Sequence, residues 1–320
     1  MKAILLKKFG GVEELYLGET PTPKISADEV LVKIEATALN RADLLQRRGL
    51  YPPPPGESEI LGLEMAGTVA ETGSQVRDWK PGDRVFALLA GGGYAEYAKV
   101  HHGMLMPIPA NLDFAEAACI AEAFLTAWQA VVWLAKLKKG ESILIHAGAS
   151  GVGTAATQIA KSRGANVTVT ASAGKHGFCK KMGADRCIDY RSQDFGEVLA
   201  NHADVLIDFI GGPYFTKNMK ALKTDGRMVI LGFLGGTKAD RTDIAPILRK
   251  RLKIMGSTLR SRTLEYKTAL TKDFQKHCLP LFENGKIRPV ADAVFDWKDV
   301  QKAHLYMEAN KNKGKIAMTV

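Results

Sequence analysis

Apolar and polar positions alternate through the first third of the chain. AILLKKF, EVLVKIEATALN, GTVAETG, GDRVFALL and YAEYAKV are short runs of this kind, separated by turns containing Gly or Pro. A period of two puts every second side chain on one face, so these runs predict strands of a strongly twisted, antiparallel or barrel-like domain. YPPPPG (51–56) is expected to be an extended loop, because its four prolines exclude both a helix interior and a central strand.

Near residue 113 the pattern becomes helical. DFAEAACIAEAFLTAWQAVVWLA predicts one helical run, with Asp113 as its cap and Glu116 three residues on as the capping-box partner. Strands and helices then alternate. ILIH, NVTVTA, RCIDY, ADVLIDFIG and RMVILGF are predicted strands. GVGTAATQIAKSRG, KHGFCKKMG and TKNMKALKTDG are predicted helices, and KIMGSTL comes last. Regular alternation predicts an α/β fold with a doubly wound parallel sheet. From 263 onward, a long helical run, IRPVADAVFDW, the helix KDVQKAHLYMEAN and GKIAMTV resemble the first third more than the middle. The expected organisation is a nucleotide-binding domain (123–262) inserted into a split domain (1–122 and 263–320).

Composition narrows the setting. The chain has 320 residues, 46% hydrophobic and 24% charged, enough for about two globular domains. It lacks the run of about 18 apolar residues that a membrane span needs, so none is expected. MKAILLKKFGG is too short and too charged for a signal peptide. Cys119, Cys179, Cys187 and Cys278 are scattered without metal-binding spacing. That fits buried thiols in a reducing cytosol and argues against a structural zinc. The net charge of +10 is densest in LRKRLK (248–253) and KNKGK (311–315). These clusters are expected to be solvated faces that help attract an anionic cofactor. Nucleic-acid binding is the alternative, but no aromatic-rich signature accompanies the charge.

The strongest chemical signal is ILIHAGASGVG (143–153). Against G-x-G-x-x-G it reads Gly148-Ala149-Ser150-Gly151-Val152-Gly153, with Ser150 in the middle glycine's place. Gly148 permits a tight turn out of the strand, and Gly153 permits close helix–sheet packing. The first-turn amides are placed to hold a pyrophosphate. Ser150 adds a hydroxyl able to touch the phosphate or the redox end of a ligand. A dinucleotide with a free ribose 2′-hydroxyl calls for an acid about 20 residues on. No Asp or Glu occurs from 142 to 184; Ser172, Lys175 and His176 stand there instead, with Tyr190 and Arg191 after the third strand. Hydroxyls and cations suit a 2′-phosphate, so NADPH is the expected cofactor.

With NRADLLQRRG, GLEMAG, PGDRVFAL and HAGASGVG in place, the chain resembles the medium-chain dehydrogenase/reductase superfamily over almost its whole length. Within it, the chain most resembles the zinc-free, NADPH-dependent, stress-inducible quinone oxidoreductases. The resemblance implies a Rossmann-type doubly wound sheet plus a split GroES-like domain, and a homodimer formed by pairing sheet edges, with KIMGSTL as the candidate edge. Zinc-dependent relatives use a Cys in the first domain and the His of GHExxG. Here those places fall in Asn40-Arg41-Ala42-Asp43 and at Leu63 of GLEMAG. Glu64 alone does not make a zinc site, which needs about three ligands.

By the same resemblance Asn40 and Tyr51 face nicotinamide and substrate, and Tyr51 is the best proton donor. Thr126 matches a position near the cofactor. Phe233, Leu234 and Gly235 offer backbone to the carboxamide, and Arg260 and Asn312 match late positions reaching the cofactor or the substrate cleft. Local readings stand beside these: Tyr51 as a loop anchor, Asn40 as a turn residue, Thr126 as an ordinary helical Thr. The leading expectation is a cytosolic NADPH:quinone reductase, because a quinone needs no Lewis acid to accept hydride. The alternatives are an NADPH-dependent enone or 2-enoyl reductase, and an RNA-binding or structural protein with regulatory NADPH binding.

Overall fold

A computed structural model describes residues 1–240 and 242–320, and the chain divides into two units: 1–125 with 259–320, and 126–258. The first unit opens with an antiparallel pair, β1 (Lys2–Leu6) and β2 (Leu15–Glu19). There follow β3 (Glu29–Ala38), α1 (Arg41–Arg47), β4 (Glu64–Thr72), β5 (Arg84–Leu88), β6 (Tyr97–His101) and β7 (Leu105–Pro107). β3 is the hub, antiparallel to both β4 and β6. Its alternation exists because Val30, Val32, Ile34 and Ala36 are buried. Two register shifts bend the β3–β4 pair. Gly67 lies at the closest approach, where a Cβ would run into the Lys33 carbonyl.

The single helical run expected from 113 is broken. α2 (Phe114–Ala118) ends at Cys119, α3 (Ala121–Trp128) starts afresh, and Gln129–Leu134 form a π-helical turn. The capping box is present: the Glu116 amide donates to Asp113 (2.8 Å) and the Asp113 amide to Glu116 (3.1 Å). The break has a tertiary cause. The Glu122 amide in the first turn of α3 donates to the Glu64 carboxylate (2.8 Å), so β4 caps the new helix.

The second unit contains β8 (Ser142–Ile145), α4 (Gly151–Ser162), β9 (Asn166–Ala171), α5 (His176–Lys181), β10 (Arg186–Asp189), α6 (Phe195–Val198) and β11 (Ala203–Asp208). It continues with α7 (Phe215–Ala221), β12 (Leu222–Ile230), α8 (Ala245–Arg249) and β13 (Lys253–Gly256). The strands lie parallel in the order β10-β9-β8-β11-β12-β13. Successive connections run outward from β8 in one direction and then the other, so the sheet is doubly wound. Helices cover both faces, so Ile143, Leu144, Ile145, Val167 and Val169 are all buried and the strands read as apolar runs. The helix expected through KALKTDG stops at Ala221. The Lys250 ammonium donates to the carbonyls of Met219 (2.9 Å), Lys220 (3.1 Å) and Leu222 (2.7 Å), closing the end of α7. Arg251 makes two hydrogen bonds to Asp225 (2.8 and 2.6 Å). Within LRKRLK, Lys250 is therefore a structural device, while Arg251 pairs with Asp225 on the exposed face.

The chain then returns to the first unit through α9 (Leu264–Glu283), β14 (Ala291–Asp296), α10 (Val300–Glu308) and β15 (Lys315–Thr319). β15 pairs antiparallel with β3 and parallel with β14. The sheet order is β14-β15-β3-β4-β5-β7, with β6 also on β3. Ile4, Leu39, Leu61, Tyr94, Trp297 and Ile316 share one core, so the two chain segments bury each other's apolar faces. Lys315, expected in a solvated cluster, is only 5% exposed.

Candidate functional site

The glycine cluster forms the turn between β8 and α4. The Gly148 amide donates to the Thr170 carbonyl (3.0 Å), and a Cβ at Gly148 would lie 2.5 Å from that of Val169 on β9. A Cβ at Gly153 would run into the Ala147 carbonyl. Only glycine lets the turn and helix approach the sheet this closely. Ser150 caps α4, its hydroxyl accepting the Gly153 amide (3.0 Å) and keeping its proton to donate. Ala149 is buried, while Gly151 and Val152 form the first turn of α4, where amides point out of the helix. A cradle of glycines at the start of a twelve-residue helix fits a dinucleotide pyrophosphate.

Because the strands are parallel, the other candidates of this unit leave the same sheet edge. Ser172 follows β9 and begins the turn that carries Lys175, whose amide donates to the Ser172 carbonyl (2.8 Å). Tyr190 follows β10, with the Arg191 guanidinium 5.8 Å from its ring centroid. β9 and β10 pair Ala171 with Asp189, so Ser172 and Tyr190 leave the sheet side by side. His176 instead hydrogen-bonds the Ala171 carbonyl (3.0 Å), a local tie. Phe233, Leu234 and Gly235 follow β12. The Leu234 and Gly235 amides donate to the Phe209 and Ile210 carbonyls (2.9 Å each), while the Phe233 and Leu234 side chains are more than half exposed. Thr126 is half-buried in α3.

Beneath this edge runs a buried polar chain that the sequence reading missed. Asp208 accepts the amides of Ile210 (2.7 Å) and Gly211 (3.2 Å) and the Asn218 side-chain amide (3.0 Å). The Asn218 oxygen then faces His146 Nε2 (2.8 Å), and His146 Nδ1 faces Thr170 (3.0 Å). An acceptor on one side makes Nε2 the protonated nitrogen and leaves Nδ1 to accept from the Thr170 hydroxyl. Burial pushes the His146 pKa down to about 4, so the ring is neutral. The chain ties the ends of β8, β9 and β11 to α7 below the glycine turn.

In the first unit, Asn40 caps α1 after β3, and its side chain is fully engaged. Its Nδ2 donates to Glu64 (2.9 Å) and its Oδ1 accepts from the Lys315 ammonium (2.6 Å). Lys315 also meets Glu64 (2.6 Å) and the Leu39 carbonyl (2.6 Å). Both Glu64 oxygens are thus taken, one by Lys315 and Asn40, the other by the Glu122 amide. Asp43 accepts the amides of Asn40 (2.7 Å) and Gly62 (3.2 Å) and the Tyr94 hydroxyl (3.3 Å). Burial raises its pKa to about 6. Tyr94 also meets His304 Nε2 (3.3 Å), and His304 Nδ1 meets Arg47 (3.2 Å). Burial, with Arg47 beside it, pushes His304 down to about 3.

Tyr51 and Arg260 are brought together, the guanidinium 5.2 Å from the Tyr51 ring centroid. All three guanidinium nitrogens of Arg260 are held within the unit, by Ala90, Tyr51 and Gln46. These contacts lie in the protein's own framework. Asn312 donates to the Gly314 carbonyl (2.8 Å) in the turn before β15.

Residues 26–110 match the family model described as alcohol dehydrogenase GroES-like domain, and 151–275 the one described as zinc-binding dehydrogenase. The quinone oxidoreductase of Homo sapiens is 30% identical over 95% of this chain and 93% of its own length. The chain belongs to the medium-chain dehydrogenase/reductase superfamily. The synaptic vesicle membrane protein VAT-1 homolog of Rattus norvegicus, also 30% identical, is matched over 99% of this chain and 84% of its own. An NAD-dependent alcohol dehydrogenase superposes with a TM-score of 0.88 at 31% identity, covering both chains fully. The CurK enoyl reductase gives 0.88 at 27%, over 99% and 98% of the two chains. A mycobacterial protein complexed with NADPH gives 0.89 at 25%, over all of both.

This medium-chain dehydrogenase/reductase is an oxidoreductase with a nicotinamide-cofactor unit. Among the described residues no group of three or more His, Cys, Asp or Glu could hold a metal ion. Where the resemblance puts the zinc ligands, residues 40–43 hold no Cys and position 63 is Leu, and Lys315 pairs with Glu64. Lys315 had one signal in the sequence: it opens an otherwise apolar strand. Asp43, Gln46 and His304 had none, being ordinary polar positions of α1 and α10 until the fold brings their partners.

Proposed function

We propose that the protein is a cytosolic, zinc-independent reductase that passes hydride from NADPH to a quinone. One observation carries the reading: where the resemblance puts the zinc ligands, residues 40–43 hold no Cys and position 63 is Leu, and Lys315 already pairs with the buried Glu64. Such a site offers no Lewis acid, so the acceptor must be electrophilic by itself, as a quinone is. Ser172, Lys175 and Tyr190, which follow β9 and β10 at the sheet edge that carries the cradle, with no acid from 142 to 184, support NADPH over NADH.

Bound nicotinamide cofactor supplies the hydride. The chain's own residues bind, orient and donate. Gly148 to Gly153 and the first turn of α4 would hold the pyrophosphate, and Ser150 offers a hydroxyl proton next to it. Burial raises the Tyr51 pKa, Glu122 adding to the rise and Arg260 opposing it. The phenol therefore stays protonated at neutral pH and serves as a hydrogen-bond and proton donor to the acceptor's oxygen. β13 is an edge strand of the parallel sheet and supports a homodimer by edge pairing, which sedimentation would detect. The likeness to CurK enoyl reductase favours one second reading, reduction of a conjugated enone or enoyl group.

Fluorescence titration with NADPH and NADH, followed by turnover of 1,4-benzoquinone and of a simple enone, tests the proposal. The expected result is tighter NADPH binding and faster quinone turnover. Faster enone turnover would transfer the reading to the second class, and binding of neither nucleotide would end it.

A further inference from the structure

The loop that carries Tyr51 has few backbone donors of its own. Pro52 to Pro55 have no amide hydrogen, and within the loop Glu57 donates to Pro54 (3.1 Å) and Ile60 to the Ser58 hydroxyl (3.3 Å). Among the described residues, the side chains of Arg260 and Gln46 reach it from outside, and the Gly92 amide donates to the Ile60 carbonyl (2.8 Å). Arg260 donates to the Tyr51 carbonyl (3.2 Å) at one end, and Gln46 to the Glu59 carbonyl (2.9 Å) at the other. The two are themselves joined, Arg260 Nη2 to Gln46 Oε1 (2.7 Å), and Arg260 Nε holds the Ala90 carbonyl (2.7 Å). Arg260 is 6% and Gln46 4% exposed, although Pro52, Pro55, Glu57, Ser58 and Glu59 are exposed.

From this geometry we infer that Arg260 and Gln46 form a clamp that positions Tyr51 for the acceptor, making both positioning residues of the reaction. The inference rests on the reading that Tyr51 meets the substrate. Prolines fix their own φ, so a proline-rich loop held at both ends has little freedom left. The guanidinium suits the task because its planar fork reaches three acceptors in different directions while its face covers the Tyr51 ring. A lysine presents a single point charge and does neither.

The test uses the full chain and R260K, Q46M, Y51F and R260K/Y51F. It reads NADPH-dependent turnover of 1,4-benzoquinone and amide hydrogen exchange across 50–60. Expected are losses of kcat on the order of tenfold in R260K and in Q46M, as for a misplaced reacting group. KM for NADPH stays unchanged, and exchange in the loop quickens. In the Y51F background R260K costs less than about twofold more, because the residue it positions is already gone. An equal R260K loss in both backgrounds overturns the inference, as does unchanged loop exchange in both R260K and Q46M. If Y51F leaves kcat intact, the functional half of the clamp falls with it. If wild type turns over no quinone, the proposed function fails separately, and loop exchange alone decides whether the clamp exists.

Discussion

A lysine four residues past a strand end is ambiguous by itself and less so at the sheet edge that carries a glycine cradle. Lys175 stands in a turn opened by Ser172, which leaves the sheet beside Tyr190. If it meets a 2′-phosphate, Lys175→Ala raises KM for NADPH on the order of tenfold and leaves KM for NADH within about twofold, a charge-assisted hydrogen bond being worth roughly 1.5–3 kcal/mol. Steady-state kinetics with both nucleotides decide it, and equal effects on the two would remove Lys175 from the 2′-phosphate site. The packing role of Gly148 and Gly153 was legible because it depends on local backbone geometry. Arg260 was not, because its three acceptors lie at positions 46, 51 and 90 and only folding collects them.

At the scale of elements, Lys315 ties β15 to β4 and to the start of α1 through one ammonium. Glu64 is fully buried, so Lys315→Met leaves an unpaired carboxylate inside the protein. The expected cost is about 3–5 kcal/mol. Adding Glu64→Gln should restore much of it, since the amide keeps the shape without the charge. Denaturant unfolding of the single and double variants measures both, and a Lys315→Met protein as stable as wild type would show the pair to be dispensable. Element types were largely legible from periodicity and boundaries less so. The helical run from 113 breaks where Glu64 offers α3 a cap, and α7 ends where Lys250 collects its last carbonyls. Both events use side chains far away in sequence.

Over the whole molecule, two buried histidines set an acid limit that a buried carboxyl opposes. Burial holds His146 at about 4 and His304 at about 3, below the usual 6.5, and raises Asp43 to about 6. A depressed histidine contributes stability that is full above 6.5 and lost as pH falls toward its folded value. A raised carboxyl acts oppositely, its contribution present below 3.8 and lost as pH rises through 6. Between about pH 4 and 6 the unfolded chain therefore binds a net of one proton more, a slope of roughly 1.4 kcal/mol per pH unit toward instability in acid. Asp208, also raised by burial, tempers this slope. Urea midpoints from pH 7 to 4.5 should fall, and His146→Gln should flatten the fall. A flat wild-type profile would contradict the buried, neutral imidazoles.

The sequence by itself determined the alternation of strands and helices, the glycine turn, the lack of Cys in 40–43 and of His at 63, and the absence of acid from 142 to 184. Each is a local property, fixed by side-chain period, backbone freedom or residue type at a place in a motif. Only the tertiary structure decided that Lys315 faces inward to Glu64 and Asn40, that His146 sits on a directed polar chain, and that Arg260 and Gln46 grip the Tyr51 loop. Buried polar groups take their meaning from partners, and those partners lie on distant segments that become neighbours only when the apolar faces have been packed.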